Sequence, residues 1–206
     1  MIVYALLVIL PIMIFSVIIH EVAHAWVALK FGDDTAEKAG RVTLNPFSHL
    51  SLFGSFLVPA ILMILGLPIL GWAKPVPVNF DYLRGKKWGV FCVSIAGVVA
   101  NLSVAIISGL IVRFIGLGNK NVLAILLMSI LVPAILINLM LGVFNLIPLP
   151  PLDGSRIAFS WLPPEKQRRL DQLALISLIL ILFFLPKLPI LPMLSFLFNL
   201  IVGTPI

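Results

Sequence analysis

Five long apolar stretches alternate with short polar connectors along the chain. The apolar stretches run from about Ile2 to Leu29, Leu52 to Trp72, Trp88 to Ile115, Val122 to Ile147 and Leu173 to Ile201. Between them lie Lys30–Ser51, Ala73–Lys87, Gly116–Asn121 and Pro148–Asp171. Each apolar stretch reaches the roughly 20 residues that a helix needs to cross a bilayer. The pattern predicts an all-α polytopic membrane protein with about four to six membrane segments and little β structure in its connectors. No internal repeat or low-complexity linker interrupts it, so a single membrane-embedded domain over residues 1–206 is expected. The last stretch is broken by Pro186, Lys187, Pro189 and Pro192, which predicts either one kinked span or two short segments.

The second stretch reads poorly as a helix. It carries Gly54, Pro59, Gly66, Pro68 and Gly71, and Lys74-Pro75-Val76-Pro77-Val78 follows it. Irregular backbone at membrane depth survives only where protein or a water-filled cavity satisfies it. A re-entrant segment near 52–78 is therefore expected, and charge supports it. If the stretch crosses fully, Lys and Arg divide six to eight between the two sides. If it dips in and returns, eleven of the fourteen share one side: Lys30, Lys38, Arg41, Lys74, Arg84, Lys86, Lys87, Arg156, Lys166, Arg168 and Arg169. Arg113, Lys120 and Lys187 remain opposite. The positive-inside rule places the richer side in the cytoplasm, and Trp26, Trp72, Trp88 and Trp161 then lie near that interface.

Composition agrees with a lipid environment. Hydrophobic residues make up 61% of the chain and charged residues 11%, against roughly 45–50% and 25% in soluble domains. The formal charge of +6 comes without a basic run interleaved with aromatics, which argues against a nucleic-acid partner. The lone cysteine, Cys92, excludes an intramolecular disulfide. The N-terminus is apolar from Met1 without a basic leader, so the first stretch is expected to be a retained span.

Near the end of the first stretch stands His20-Glu21-Val22-Ala23-His24. On a helix, positions i and i+4 share a face, so two imidazoles can converge on one metal with Glu21 beside them to act on a metal-bound water. Ionisable groups inside a span are costly, which favours a functional reading. A catalytic metal needs a third protein ligand. Cys92 and His49 are both chemically able to serve. Among the carboxylates, Asp153 stands apart from those clustered in charged loops: it ends a long apolar span, on the proline-stiffened turn Pro148-Leu149-Pro150-Pro151-Leu152. With the re-entrant topology, Asp153 returns to the same side as His20 and His24. With four full crossings it ends on the opposite face.

These motifs resemble those of the site-2 proteases, a family of intramembrane zinc metalloproteases. The resemblance rests on His20-Glu21-Val22-Ala23-His24 and on Asn145-x-x-Pro148-x-Pro150-x-Leu152-Asp153-Gly154. It extends to the connectors Gly32-Asp33, Gly40-Arg41-Val42-Thr43-Leu44-Asn45-Pro46 and Gly71-Trp72-Ala73-Lys74-Pro75-Val76-Pro77-Val78-Asn79, which look like the compact bacterial and archaeal branch, without PDZ or CBS domains. It covers about Ile2 to Pro163. The resemblance implies one zinc ion per chain held by His20, His24 and Asp153, Glu21 as catalytic base, and Asn145 stabilising the reacting carbonyl. It implies hydrolysis of peptide bonds in transmembrane segments of other membrane proteins, in the cell membrane of a prokaryote, with the active site toward the cytoplasm. Two departures are visible: Val98 stands where relatives usually have proline, and Ser51 where they often have aspartate. Two rival readings use the same residues, an ion-binding membrane transporter and a catalytically inactive scaffold. Asn101 is expected to hydrogen-bond between helices, His49 to be a loop residue, and Asp33 and Arg41 to order the first connector.

Overall fold

The computed structural model describes residues 2–49, 51, 57, 61, 64, 74–184 and 189–203. It is helical, with no strand among the described residues. Among the described residues, three helices are long and apolar enough to cross a membrane. Helix α1 is Leu10–Lys30, α2 is Lys87–Ile115 and α3 is Val122–Asn145. Two short polar helices follow, α4 (Asp153–Phe159) and α5 (Pro164–Gln172), then two short apolar ones, α6 (Ala174–Phe184) and α7 (Ile190–Val202). Among the described residues the final apolar stretch holds two helices, Ala174–Phe184 and Ile190–Val202, with Pro189 outside either. Their outward faces suit lipid: Phe114 is 94% exposed, and Leu123, Leu175, Ile176 and Ile179 are exposed as well. The chain is an integral membrane protein.

Local chemistry sets the helix ends. Pro11 has no N–H to return to the preceding turn, and the chain upstream of it is wound as a π-helix, Ala5–Ile9. Gly32, at φ 100°, turns the chain out of α1 in a conformation that costs glycine little. Asn121 caps α3 by accepting from the Leu123 N–H at 2.9 Å.

Packing places α2 at the centre. Ala28 of α1 shares a cluster with Leu83, Val90 and Val93, while Ala105 and Val112 pack with Ile135, Leu139 and Val143 of α3 and Leu194, Phe198 and Val202 of α7. Helices α1 and α2 run antiparallel, so Ala28 meets Val90 and His24 meets Val93 one turn further in. The amide of Asn138 on α3 donates to Ser16 Oγ on α1 at 2.8 Å, which ties the third long helix to the first.

The predicted re-entrant segment lies outside the described residues apart from positions 57, 61 and 64 and its last part, 74–78, but its flanks meet. The Lys74 N–H donates to the His49 carbonyl at 2.8 Å, and the Arg84 N–H to the Phe31 carbonyl at 2.7 Å. The first and second connectors therefore pack together at the C-terminal end of α1. Asp33, wholly buried, accepts from the Thr35 N–H at 3.0 Å, from the Thr35 hydroxyl, and from the Asn79 N–H at 2.7 Å. Arg41 donates to the Ser48 carbonyl. Asp33 and Arg41 order the connectors, as expected.

Candidate metal centre

His20 and His24 stand one turn apart on α1, and both are buried. From about 130 residues later in the chain, α4 begins at Asp153 and brings its carboxylate to them. Asp153 Oδ2 lies 3.0 Å from His20 Nε2 and 3.2 Å from His24 Nε2, and the two Nε2 atoms are 3.0 Å apart. Three ligand-type atoms thus form a nearly regular triangle. For a tetrahedral ion with ligands about 2.0–2.1 Å away, neighbouring ligand atoms sit about 3.3 Å apart. The triangle is close to that size.

Protonation explains why such a triangle calls for a cation. His24 Nδ1 lies 2.7 Å from the Val93 carbonyl oxygen on α2. A carbonyl accepts only, so Nδ1 carries the proton, and in the neutral ring Nε2 presents a bare lone pair to the centre. A carbonyl partner behind the ring is the usual support of a metal-ligating histidine. Asp153 Oδ2 has no hydrogen-bond partner among the described residues, while His20 Nε2 and His24 Nε2 face each other at 3.0 Å, so three acceptor-capable atoms crowd around one point. His20, His24 and Asp153 fit a divalent cation of the zinc type.

Two glycines make the convergence possible. A Cβ on Gly97 of α2 would collide with His24 Nε2 and with the His20 ring. A Cβ on Gly154 would collide with the main chain of Leu146 and Ile147, so the residue after Asp153 must be glycine for α4 to start here.

The other anticipated residues fall in different places. Glu21 is half-buried beside His20, and its Oε2 accepts from the Val76 N–H at 2.8 Å. Asn145 ends α3, with Nδ2 donating to the Leu141 carbonyl of its own helix at 3.0 Å. His49 is buried in the connector with Nε2 on the Thr43 carbonyl at 2.8 Å, and Cys92 is a free thiol on α2; neither joins the triangle. Asn101 departs from expectation. It is wholly buried, yet neither its Oδ1 nor its Nδ2 has a hydrogen-bond partner among the described residues, and the interhelical bond is made by Asn138 instead. Val93, Gly97 and Val76 were not singled out for the site from sequence. Their contributions come from a carbonyl, a missing side chain and an amide, none of which has a residue-type signature.

The family model for peptidase family M50 matches residues 8–185. YwhC of Bacillus subtilis, provisionally named a zinc metalloprotease, is 42% identical over 163 residues, covering 78% of this chain and 71% of that protein. Rip2 of Mycolicibacterium smegmatis and Rip2 of Mycobacterium tuberculosis carry the same provisional description. They are 32% and 33% identical, and the matches cover 75% and 78% of this chain but 57% and 61% of those proteins. The chain thus spans less than two thirds of the Rip2 proteins' length. No solved structure matches the chain significantly. A family model that takes in most of the chain, together with a relative at 42% identity, leads to one conclusion: the chain belongs to peptidase family M50, the family of the site-2 proteases that its motifs resemble.

Proposed function

We propose that the chain is a single-domain intramembrane zinc metalloendopeptidase that hydrolyses peptide bonds in transmembrane segments of other membrane proteins, as in regulated intramembrane proteolysis. The observation that carries this reading is the triangle of His20 Nε2, His24 Nε2 and Asp153 Oδ2, within reach of one ion and set between apolar helices.

His20, His24 and Asp153 would hold one zinc ion. Bound there, zinc would supply Lewis acidity toward a carbonyl and toward water near neutral pH. Glu21 takes the proton from the attacking water and returns it to the leaving amine. Asn145 swings its amide from the Leu141 carbonyl to the developing oxyanion. His24 stays in one tautomer because Val93 holds its Nδ1 proton. The eleven-charge side faces the cytoplasm of a prokaryotic cell membrane, which puts the centre in the cytoplasmic half of the bilayer.

Reconstitution in liposomes with a panel of single-span membrane proteins tests this reading. Wild-type protein cleaves at least one within its apolar segment, while Glu21→Gln and Asp153→Ala cut none. A Glu21→Gln variant that cleaves normally removes the proposed base, and ion flux abolished by the same change without any cleavage supports the transporter instead.

A further inference from the structure

The stretch from Lys74 to Asn79 runs past α1 beside the candidate centre and is tied down at three main-chain donors. The Lys74 N–H bonds the His49 carbonyl at 2.8 Å, the Val76 N–H bonds Glu21 Oε2 at 2.8 Å, and the Asn79 N–H bonds Asp33 Oδ2 at 2.7 Å. The Val76 side chain is buried against Ala25 and Ala36, so the middle of the strap is held by packing as well. We propose that the Val76 main-chain N–H is the positioning group of the Glu21 carboxylate, and that Pro75 and Pro77 aim it.

The proposal rests on the reading of Glu21 as the base. A glutamate side chain on a helix has three rotatable bonds, and a base works only when its oxygen is held against the proton it must take. An amide donor to a carboxylate is a charge-assisted hydrogen bond, short and directional. At Val76 it engages Oε2 and leaves Oε1 for the proton. A main-chain donor also cannot titrate or change rotamer. The two prolines act on either side. Neither has an N–H, so between residues 75 and 77 only Val76 offers a donor to Glu21. Each also keeps the residue before it, Lys74 and Val76, out of the helical region, so the strap cannot coil and withdraw the amide. The strap is fixed at both ends by bonds that do not involve the candidate ligands, which lets it serve as a rigid stop.

Replacing Val76 by its α-hydroxy analogue turns the Pro75–Val76 amide into an ester, which removes the N–H and keeps the side chain. The expected result on the zinc-loaded protein is a kcat lower by about tenfold to a hundredfold, the range for losing a hydrogen bond to a charged group, with KM and zinc content unchanged. The same replacement at Val78 leaves kcat as in wild type. A second measurement does not depend on activity or on the ester protein folding. In the amide NMR spectrum of the full-length protein, the Val76 proton resonates downfield and exchanges slowly, and Glu21→Ala abolishes both properties. Wild-type kcat in the Val76 ester, with Glu21→Gln inactive, overturns the positioning role and leaves the base assignment standing. A Val76 amide signal indifferent to Glu21→Ala overturns it as well. An active Glu21→Gln removes the base assignment and the proposal with it.

Discussion

Gly97 sets how closely α2 approaches the two imidazoles. Its missing Cβ is the space that His20 and His24 occupy. Gly97→Ala must push α2 or the rings aside, an overpacking that typically costs about 1–3 kcal/mol, and here the strain falls on the candidate ligands. Purified Gly97→Ala is expected to hold well under half of the wild-type zinc by elemental analysis. Gly142→Ala is the comparison, because its nearest neighbour is the Leu102 side-chain end at 3.0 Å, which can shift; it should keep its metal. Full zinc in Gly97→Ala contradicts the close-packing argument. The histidine pair was readable from sequence because i, i+4 spacing is a property of one helix. The need for Gly97 was not, because it arises where two helices meet, and the surrounding Ala96-Gly97-Val98 reads as ordinary small-residue packing.

At the scale of helices, the Asn138–Ser16 bond joins α3 to α1 one turn beneath His20. Interhelical bonds of this kind contribute about 0.6 kcal/mol on average and up to about 1.7 kcal/mol. A double-mutant cycle on Ser16→Ala and Asn138→Leu, followed by unfolding in bicelles, should return a coupling within that range, and a coupling of zero removes the bond from the account. Asn101 was singled out from sequence as a polar residue within a span and Asn138 was passed over, although it is of the same type in the same kind of apolar setting. Which one bonds across helices depends on the rotation of each helix about its axis, and a mean apolar pattern does not encode that. The final stretch shows the same limit: Pro186, Pro189 and Pro192 signalled a break, but whether the pieces stay collinear depends on what they pack against. Leu194, Phe198 and Val202 of α7 pack onto α2 and α3.

For the molecule as a whole, convergence of α1 and α4 requires the C-terminal ends of α1 and α3 to lie at one end of the bundle, as the 3.0 Å approach of Asp153 to His20 has them, and the bonds between the two connectors hold the start of α2 at that same end. This part of the topology was legible because lysine and arginine distribution and ligand convergence selected the same arrangement. The orientation it implies is testable in a cysteine-free background: cysteines replacing Lys38, Lys87 and Lys166 should react with an impermeant thiol reagent from the cytoplasmic side, and one replacing Lys120 from the other. Labelling of Lys38 and Lys87 positions from opposite sides is incompatible with the structure. The central claim is a single zinc ion shared by α1 and α4, and X-ray absorption at the zinc edge of the purified protein addresses it most directly. The account predicts one zinc per chain with nitrogen and oxygen neighbours at about 2.0–2.1 Å, two imidazoles among them and no sulfur, kept in Glu21→Gln and lost in Asp153→Ala. An unchanged spectrum at full occupancy in Asp153→Ala, or a sulfur neighbour at about 2.3 Å, contradicts it.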